Sequence, residues 1–221
     1  MAIPVLIMGR SGAGKSASLR NIATDTFVVN VNKKPLPFRN NEHLIVYNCD
    51  EYLKIKANLK TAYEKNVKVA VIDDAGYLMT SKFMAGHRQA KGNSQFDLYN
   101  EIADNFYSLI KFIADELPAD MIVYVIMHEE KNEMGESKPK TIGKLLDDKV
   151  CVEGMFTIVL HALKLDGKYV FATTTDGLDV TKSPIGMFEE TYIENDLQKV
   201  TEKIKEYYGG NNQWNLYKNM N

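Results

Sequence analysis

The sequence predicts an α/β fold in which a mostly parallel sheet is flanked by helices. Three apolar runs of the buried-strand type support this prediction, at positions 3–8, 67–72 and 121–127. Strands that are apolar on both faces are typical of parallel sheets covered by helices on both sides. Between the last two runs, apolar side chains recur with helical spacing up to residue 117. Two alternating strands around Asp166-Gly167 predict an antiparallel hairpin in the C-terminal third.

The composition is that of a globular domain. The chain has 221 residues, of which 45% are hydrophobic and 25% are charged, so it can bury a sizeable core in one α/β domain. We predict a single domain over residues 1–208 and a flexible, Asn-rich tail over residues 209–221.

The absence of membrane-spanning runs and cysteine motifs limits the expected cellular location and partners. No apolar run approaches the roughly 20 residues that span a bilayer, and residues 1–4 enter the first strand without a charged leader. Cys49 and Cys151 form no C-x-x-C pair, which is typical of reduced thiols. These features predict a cytosolic protein without a membrane partner. Because the formal net charge is −2, any nucleic-acid contact must come from local basic patches.

The first apolar run leads directly into a glycine-rich loop. Residues 9–16 fit the pattern G-x-x-x-x-G-K-[ST], and residues 17–23 suit the helix that follows such a loop. Glycines let successive backbone N–H groups point at a polyphosphate. Lys15 would reach the β- and γ-phosphates, and Ser16 would hold Mg²⁺. The predicted nucleotide-binding residues are Gly9, Arg10, Ser11, Gly12, Ala13, Gly14, Lys15, Ser16 and Ala17.

The second apolar run ends in two carboxylates, Asp73 and Asp74. This is the Walker B form, in which a strand-ending aspartate helps to hold Mg²⁺, so Asp73 is the second predicted metal residue. Asp74 is then placed to polarise a water that attacks the γ-phosphate. A turn or helix cap would explain the same pair, but its combination with the phosphate loop favours the functional interpretation.

The third apolar run ends at His128-Glu129-Glu130. Open α/β sheets place their sites at this carboxyl edge, so His128 could sense the γ-phosphate. A hydrogen-bonded strand-end histidine without that role is the alternative. Zinc is disfavoured because no Cys or second His lies at ligand spacing.

Residues 32–41 contain two prolines, which exclude a regular helix, and three basic residues. This segment is either a solvated connector or a functional loop near the nucleotide or a neighbouring subunit. Asp50, which follows a short predicted strand, is expected to cap the next helix.

Two further segments are rich in cations and are predicted to be loops. Residues 77–95 contain no acid, and residues 131–144 carry four lysines. Because both follow core strands of a parallel sheet, they should emerge on the same edge. Phe83 could stack on a base, so we hypothesise that both loops bind single-stranded DNA. Two solvated loops whose charges only aid solubility are the alternative.

Taken in order, these motifs resemble the RecA-like ATPase core, and more closely the small phage-encoded AAA-family ATPases grouped with single-strand annealing proteins of the Sak4 type. The resemblance is carried by residues 9–16, 34–38, 72–74, 127–129, 143–149 and 182–184. It implies a RecA-like P-loop NTPase core that binds ATP and Mg²⁺. It further implies homo-oligomeric rings or filaments with ATP at subunit boundaries, and a role on single-stranded DNA in recombination, in the host cytoplasm if the protein is phage-encoded.

One departure from that family concerns the water-activating group. RecA-like enzymes usually place a glutamate after the strand that follows the P-loop helix, whereas this strand ends Val31-Asn32-Lys33. Catalysis would then depend on Asp74, Glu51 or Glu129, or else be slow. The resemblance also makes Lys182 a candidate cationic finger for a neighbour's ATP site, although a solvated turn lysine would look the same. The candidate catalytic residues are Lys15, Asp74, His128, Glu129 and Lys182.

The expected function is therefore a Mg²⁺-dependent ATP hydrolase that acts as an oligomer in DNA recombination or strand annealing. An ATP-switched adaptor, such as a helicase loader or an assembly factor, stays open. A small-molecule kinase is less favoured, because such enzymes close an arginine-rich lid over the phosphates and the arginines here are not clustered.

Overall fold

The computed structural model describes residues 1–209 apart from Thr24 and Lys144. All of the predicted tail except Gly209 therefore lies outside the described residues, as does one lysine of the predicted 131–144 loop. No helix within the described ranges is long and apolar enough to cross a membrane.

The described part of the chain forms strands and helices in alternation. The strands are β1 (Ile3–Gly9), β2 (Thr26–Asn30), β3 (Ile45–Asn48), β4 (Val69–Asp73), β5 (Ile122–Lys131), β6 (Ser137–Pro139), β7 (Ile158–Leu165), β8 (Lys168–Ala172) and β9 (Tyr192–Glu194). The α-helices are α1 (Tyr52–Glu64), α2 (Gly76–Gly86), α3 (Asn93–Glu116) and α4 (Leu197–Gly209). Shorter helical segments are 3-10 helices at Ser16–Asn21 and Val152–Met155, and a π-helical turn at Leu146–Val150.

The sheet has the strand order β3-β2-β4-β5-β1-β7-β8-β9, with β6 paired to β5. Strands β3, β2, β4, β5, β1 and β7 run parallel, whereas β8 and β9 are antiparallel to their neighbours. The predicted α/β class, the mostly parallel sheet and the C-terminal hairpin are confirmed. Because β1 lies between β5 and β7, the glycine loop begins in the middle of the sheet's carboxyl edge.

Each face of the sheet has its own core because successive strand side chains point to opposite sides. In β1, Leu6 and Met8 pack with α1, α2 and α3, while Val5 and Ile7 pack on the other face. That second core includes Leu19 of the short helix after the glycine loop and Leu197 of α4. Burial on both faces explains why these strands are continuously apolar in the sequence.

The prediction of a loop over residues 77–95 was wrong. Helix α2 covers most of it, and α3 has already begun at Asn93. Leu78 and Met79 are fully buried, so tertiary packing supports the helix although the segment lacks a clear apolar stripe. Gly86 allows a close approach between α2 and α3, since a Cβ there would lie 2.7 Å from Leu98 Cδ1.

Other local predictions also changed. The helix expected over residues 17–23 is a six-residue 3-10 helix, and its end is held by Asn21 Nδ2, which donates to Asp196 Oδ2 at 2.7 Å. Asp50 does not cap α1: its carboxylate accepts from Lys33 Nζ at 2.9 Å, and Glu51 is the N-cap residue without a side-chain bond. The predicted 131–144 loop is largely a hairpin, because β5 extends to Lys131 and pairs with β6.

Candidate nucleotide site

The glycine loop begins where β1 ends, and two of its glycines are required by their surroundings. A Cβ at Gly9 would lie 2.6 Å from the carbonyl oxygen of Ala162 on β7, so no larger residue fits this close strand contact. Gly14 has φ of +90°, and a Cβ there would lie 2.9 Å from Tyr169 Cδ1. Gly9 is also in register with His128 on β5, which brings two predicted site residues side by side.

Lys15 folds back across the loop that precedes it. Its Nζ donates to the carbonyl oxygens of Gly9 and Arg10, each at 2.8 Å. Burial lowers the pKa of Lys15, and the nearby carboxylates of Asp74 and Asp73 oppose that shift. The ammonium is therefore held inside the loop, at the position where a phosphate chain would meet it.

Ser16 and Asp73, the two predicted metal residues, lie in direct contact. Ser16 Oγ donates to Asp73 Oδ1 at 2.8 Å, although 57 positions separate them in the chain. Burial raises the pKa of Asp73 to about 6, and the adjacent negative charge of Asp74 adds to that shift. A hydroxyl and a buried carboxylate next to a second carboxylate are the hard oxygen donors that Mg²⁺ prefers, so these residues fit the metal.

Asp74 turns away from the strand with φ of +60° and is nearly fully buried. Asn32 Nδ2 donates to its Oδ2 at 2.9 Å, and the Lys34 ammonium binds the same oxygen. His128 Nε2 lies 3.5 Å from Oδ1. Burial alone would raise the pKa of Asp74, but these donors outweigh it and hold the pKa well below its usual range. Asp74 is thus an ionised carboxylate at neutral pH.

Most of the glycine loop, together with Lys34, Asp74 and His128, lines one open cleft of about 460 Å³. Its walls are Ser11, Gly12, Gly14, Lys15, Ser16, Ala17, Lys34, Pro35, Pro37, Asp74, His128 and Tyr169. The proline-containing segment after β2 therefore lies beside the glycine loop, with Lys34, Pro35 and Pro37 exposed at the cleft. Tyr169 was missed from sequence, because only the antiparallel pairing of β7 and β8 brings it to the loop and no motif marks it.

Glu129 lies at the same edge but not in the cleft wall. Its side chain is buried, with Oε1 3.3 Å from Arg10 Nε and Oε2 bound to His161 Nε2. On its other side, His161 Nδ1 lies 2.7 Å from Asp179 Oδ2. Burial lowers the pKa of His161, but the two carboxylates outweigh it and raise the pKa to about 9. Both oxygens of Glu129 are engaged in this network, which sequence reasoning did not foresee.

Two other candidates lie away from the cleft. Glu51 is at the start of α1, where its carboxylate pairs with Lys54 at 2.6 Å. The backbone of Lys182 forms hydrogen bonds with Val159 of β7. Val159 is in register with Leu6, in the middle of β1, so Lys182 lies away from the carboxyl edge. Its side chain is exposed. The role of Lys182 in a neighbouring subunit stays a prediction.

No protein-family model and no curated protein sequence matches the chain. Among solved structures, the chain is similar to a KaiC-like protein from the hyperthermophilic archaeon Pyrococcus horikoshii OT3. The two share 12% sequence identity over 76% of each chain, with a TM-score of 0.40. A likeness at this level supports no conclusion about function, which must be inferred from the site.

Proposed function

We propose that this protein binds ATP with Mg²⁺ in the cleft and hydrolyses it. The contact between Ser16 and Asp73 beside the enclosed ammonium of Lys15 is the observation that supports this most directly. A phosphate loop alone would favour any polyphosphate ligand. Its pairing with a buried strand-end carboxylate supplies the metal-holding partner that nucleotide hydrolases need.

Ser16 and Asp73 would hold the metal, which when bound neutralises charge on the phosphates. The glycine-loop backbone and Lys15 would position the phosphate chain. In hydrolysis the water oxygen bonds to the γ-phosphorus, the bond from that phosphorus to the bridging oxygen breaks, and ADP and phosphate leave.

Asp74 suits the task of orienting the attacking water. An ionised carboxylate can accept a hydrogen bond from that water, and Asp74 lines the cleft while Glu129 and Glu51 do not. Its low pKa makes it a weak proton acceptor, so the water's proton ends on the released phosphate.

Asp73→Asn should raise the Mg²⁺ concentration that gives half-maximal turnover by roughly tenfold or more, because charge-assisted contacts are the stronger ones. Nucleotide affinity measured without Mg²⁺ should change much less. A Mg²⁺ titration of turnover checks this, with Asp120→Asn as the control, since that exposed carboxylate pairs with Lys68 at the opposite edge. An unchanged Mg²⁺ requirement in Asp73→Asn would count against the metal role.

We also propose that the ATPase acts as an oligomer on single-stranded DNA. The support is placement: β4 and β5 are parallel neighbours, and the segments after them leave at the same edge as the cleft. Gly76 at the start of α2 lies close to the carbonyl oxygen of Lys140, so the two basic segments meet there. Arg88 and Lys91, in the turn between α2 and α3, are exposed.

Replacing Arg88 and Lys91 by alanine should make the salt dependence of single-strand binding shallower by roughly one unit or slightly more, because each phosphate contact on a single strand contributes about 0.7. Nucleotide affinity should be unaffected. The measurement is binding of a labelled oligonucleotide across a salt series. As the control, replacing Lys60 on α1 and Lys65 directly after it removes the same charge elsewhere. If the parent protein does not bind single-stranded DNA and DNA does not change its rate of ATP hydrolysis, the adaptor function becomes the better proposal.

A further inference from the structure

Lys34 is a cationic residue of the cleft with no role in the hydrolysis proposed above. Among the described residues that line the cleft, Lys15 and Lys34 are the cationic ones. Lys15 is enclosed by the glycine loop, whereas about half of the Lys34 side chain is exposed, with a relative exposure of 49%. Lys34 can therefore present its ammonium to a molecule that enters the cleft.

The backbone of Lys34 is held in place, whereas its side chain is about half exposed. Asn30, at the buried end of β2, donates from Nδ2 to the carbonyl oxygen of Lys34 at 2.7 Å. Pro35 and Pro37 follow and restrict the backbone dihedrals of this segment. The preceding Lys33 is anchored to Asp50 on the outer surface. The lysine thus starts from a defined position beside the glycine loop.

Asp74 keeps other hydrogen-bond partners if the Lys34 ammonium leaves it. Lys34 binds Asp74 Oδ2, but the same oxygen also accepts from Asn32, and His128 lies beside the other oxygen. A buried carboxylate that keeps such donors avoids most of the cost of an unpaired charge. A terminal phosphate, with a charge of about −1.5 to −2 and three acceptor oxygens, is the stronger partner for an ammonium.

We infer that Lys34 contacts the γ-phosphate of bound ATP, exchanging its bond with Asp74 for one with the phosphate. This inference rests on the proposed binding of ATP in the cleft. The exchange frees one lone pair of Asp74 Oδ2 for the attacking water at the moment when a γ-phosphate is present. Because ADP lacks that phosphate, Lys34 distinguishes ATP from ADP.

The test compares Lys34→Ala with Lys33→Ala, a neighbour that carries the same charge but pairs with Asp50 outside the cleft. Affinities for a non-hydrolysable ATP analogue and for ADP are measured by titration calorimetry with Mg²⁺ present. Lys34→Ala should weaken the analogue roughly ten- to hundredfold, the range for one charge-assisted contact, while ADP affinity stays near that of the parent. Lys33→Ala should leave both affinities unchanged. Equal losses for the two nucleotides, or no loss for either, would overturn the inference.

A second pair of variants distinguishes two roles of Lys34: direct contact with the γ-phosphate, and an indirect effect through its bond with Asp74. In an Asp74→Asn background, adding Lys34→Ala should still weaken the ATP analogue relative to ADP. If Lys34 acts only through Asp74, the added change has no effect, and that result would also overturn the inference. A parent protein that binds neither nucleotide would instead refute the proposed function itself. ATP binding that requires Lys15 but is unaffected by Lys34→Ala would refute only the role of Lys34.

Discussion

Replacing Lys15 by alanine is expected to lower ATP turnover by at least about a hundredfold, the usual cost of removing one preorganised contact to a developing charge. Lys15 Nζ is held by two carbonyl oxygens inside the glycine loop, and no other described cation is enclosed there. The fold should persist, because the substitution removes a partly desolvated charge and leaves the apolar cores untouched. Steady-state phosphate release measures the effect.

Lys205→Ala is the matched control, because this lysine is exposed on α4 and does not line the cleft. Circular dichroism and the unfolding midpoint of both variants should match those of the parent. Parent-like turnover in Lys15→Ala would show that the cleft is not the hydrolytic site, whatever else the protein does.

His161→Leu is expected to destabilise the fold by about 3–5 kcal/mol, the cost of breaking a buried ion pair by removing one partner. The side chains of His161, Glu129 and Asp179 are all less than 10% exposed, at 7%, 4% and 9%. Leucine has a similar volume but leaves two buried carboxylates without their shared cation. Urea unfolding at pH 7 measures the difference, and His43→Leu on the loop before β3 is the control. A change below 1 kcal/mol would contradict the assignment of His161 as the central cation.

The same pair of proteins should show a defined pH dependence. The pKa of His161 is raised from 6.5 to about 9 in the folded state, so its contribution to stability is fully present below pH 6.5. That contribution is lost as the pH rises through about 9, and the stability difference between parent and His161→Leu should shrink over that range. The pKa of Asp179 is lowered to about 2, so its contribution disappears only as the pH falls towards that value.

This charge network bears on the choice of the water-orienting group. Glu129 was one of three carboxylates that the sequence left open, and its oxygens are taken by Arg10 and His161. Freeing it would cost the stability just described. Asp74 is also paired, but its partner Lys34 is about half exposed and can exchange, and the carboxylate already lies in the cleft wall as an ionised group. The network instead ties Arg10 of the glycine loop to β5, β7 and the segment that carries Asp179.

The sequence by itself determined the α/β class and the position of the glycine loop, and it named Ser16 and Asp73 as the metal residues. These features are encoded locally, by apolar runs of a few residues and by a motif whose spacing is fixed by the shape of a phosphate chain. Ser16 and Asp73 could be named for one metal site because each motif specifies a position at the carboxyl edge of the sheet, and the structure brings the two side chains into contact there.

Only the tertiary structure decided what surrounds those motifs. Asn32 and Lys34 reach Asp74 from another strand's end, and Tyr169 reaches Gly14 through the hairpin. Residues 77–86 are helical because Leu78 and Met79 find a buried surface, not because their own pattern requires it. Contacts between residues far apart in the chain leave no periodic signal within a short window, so sequence reasoning could name the phosphate loop but not the side chains that complete its cleft.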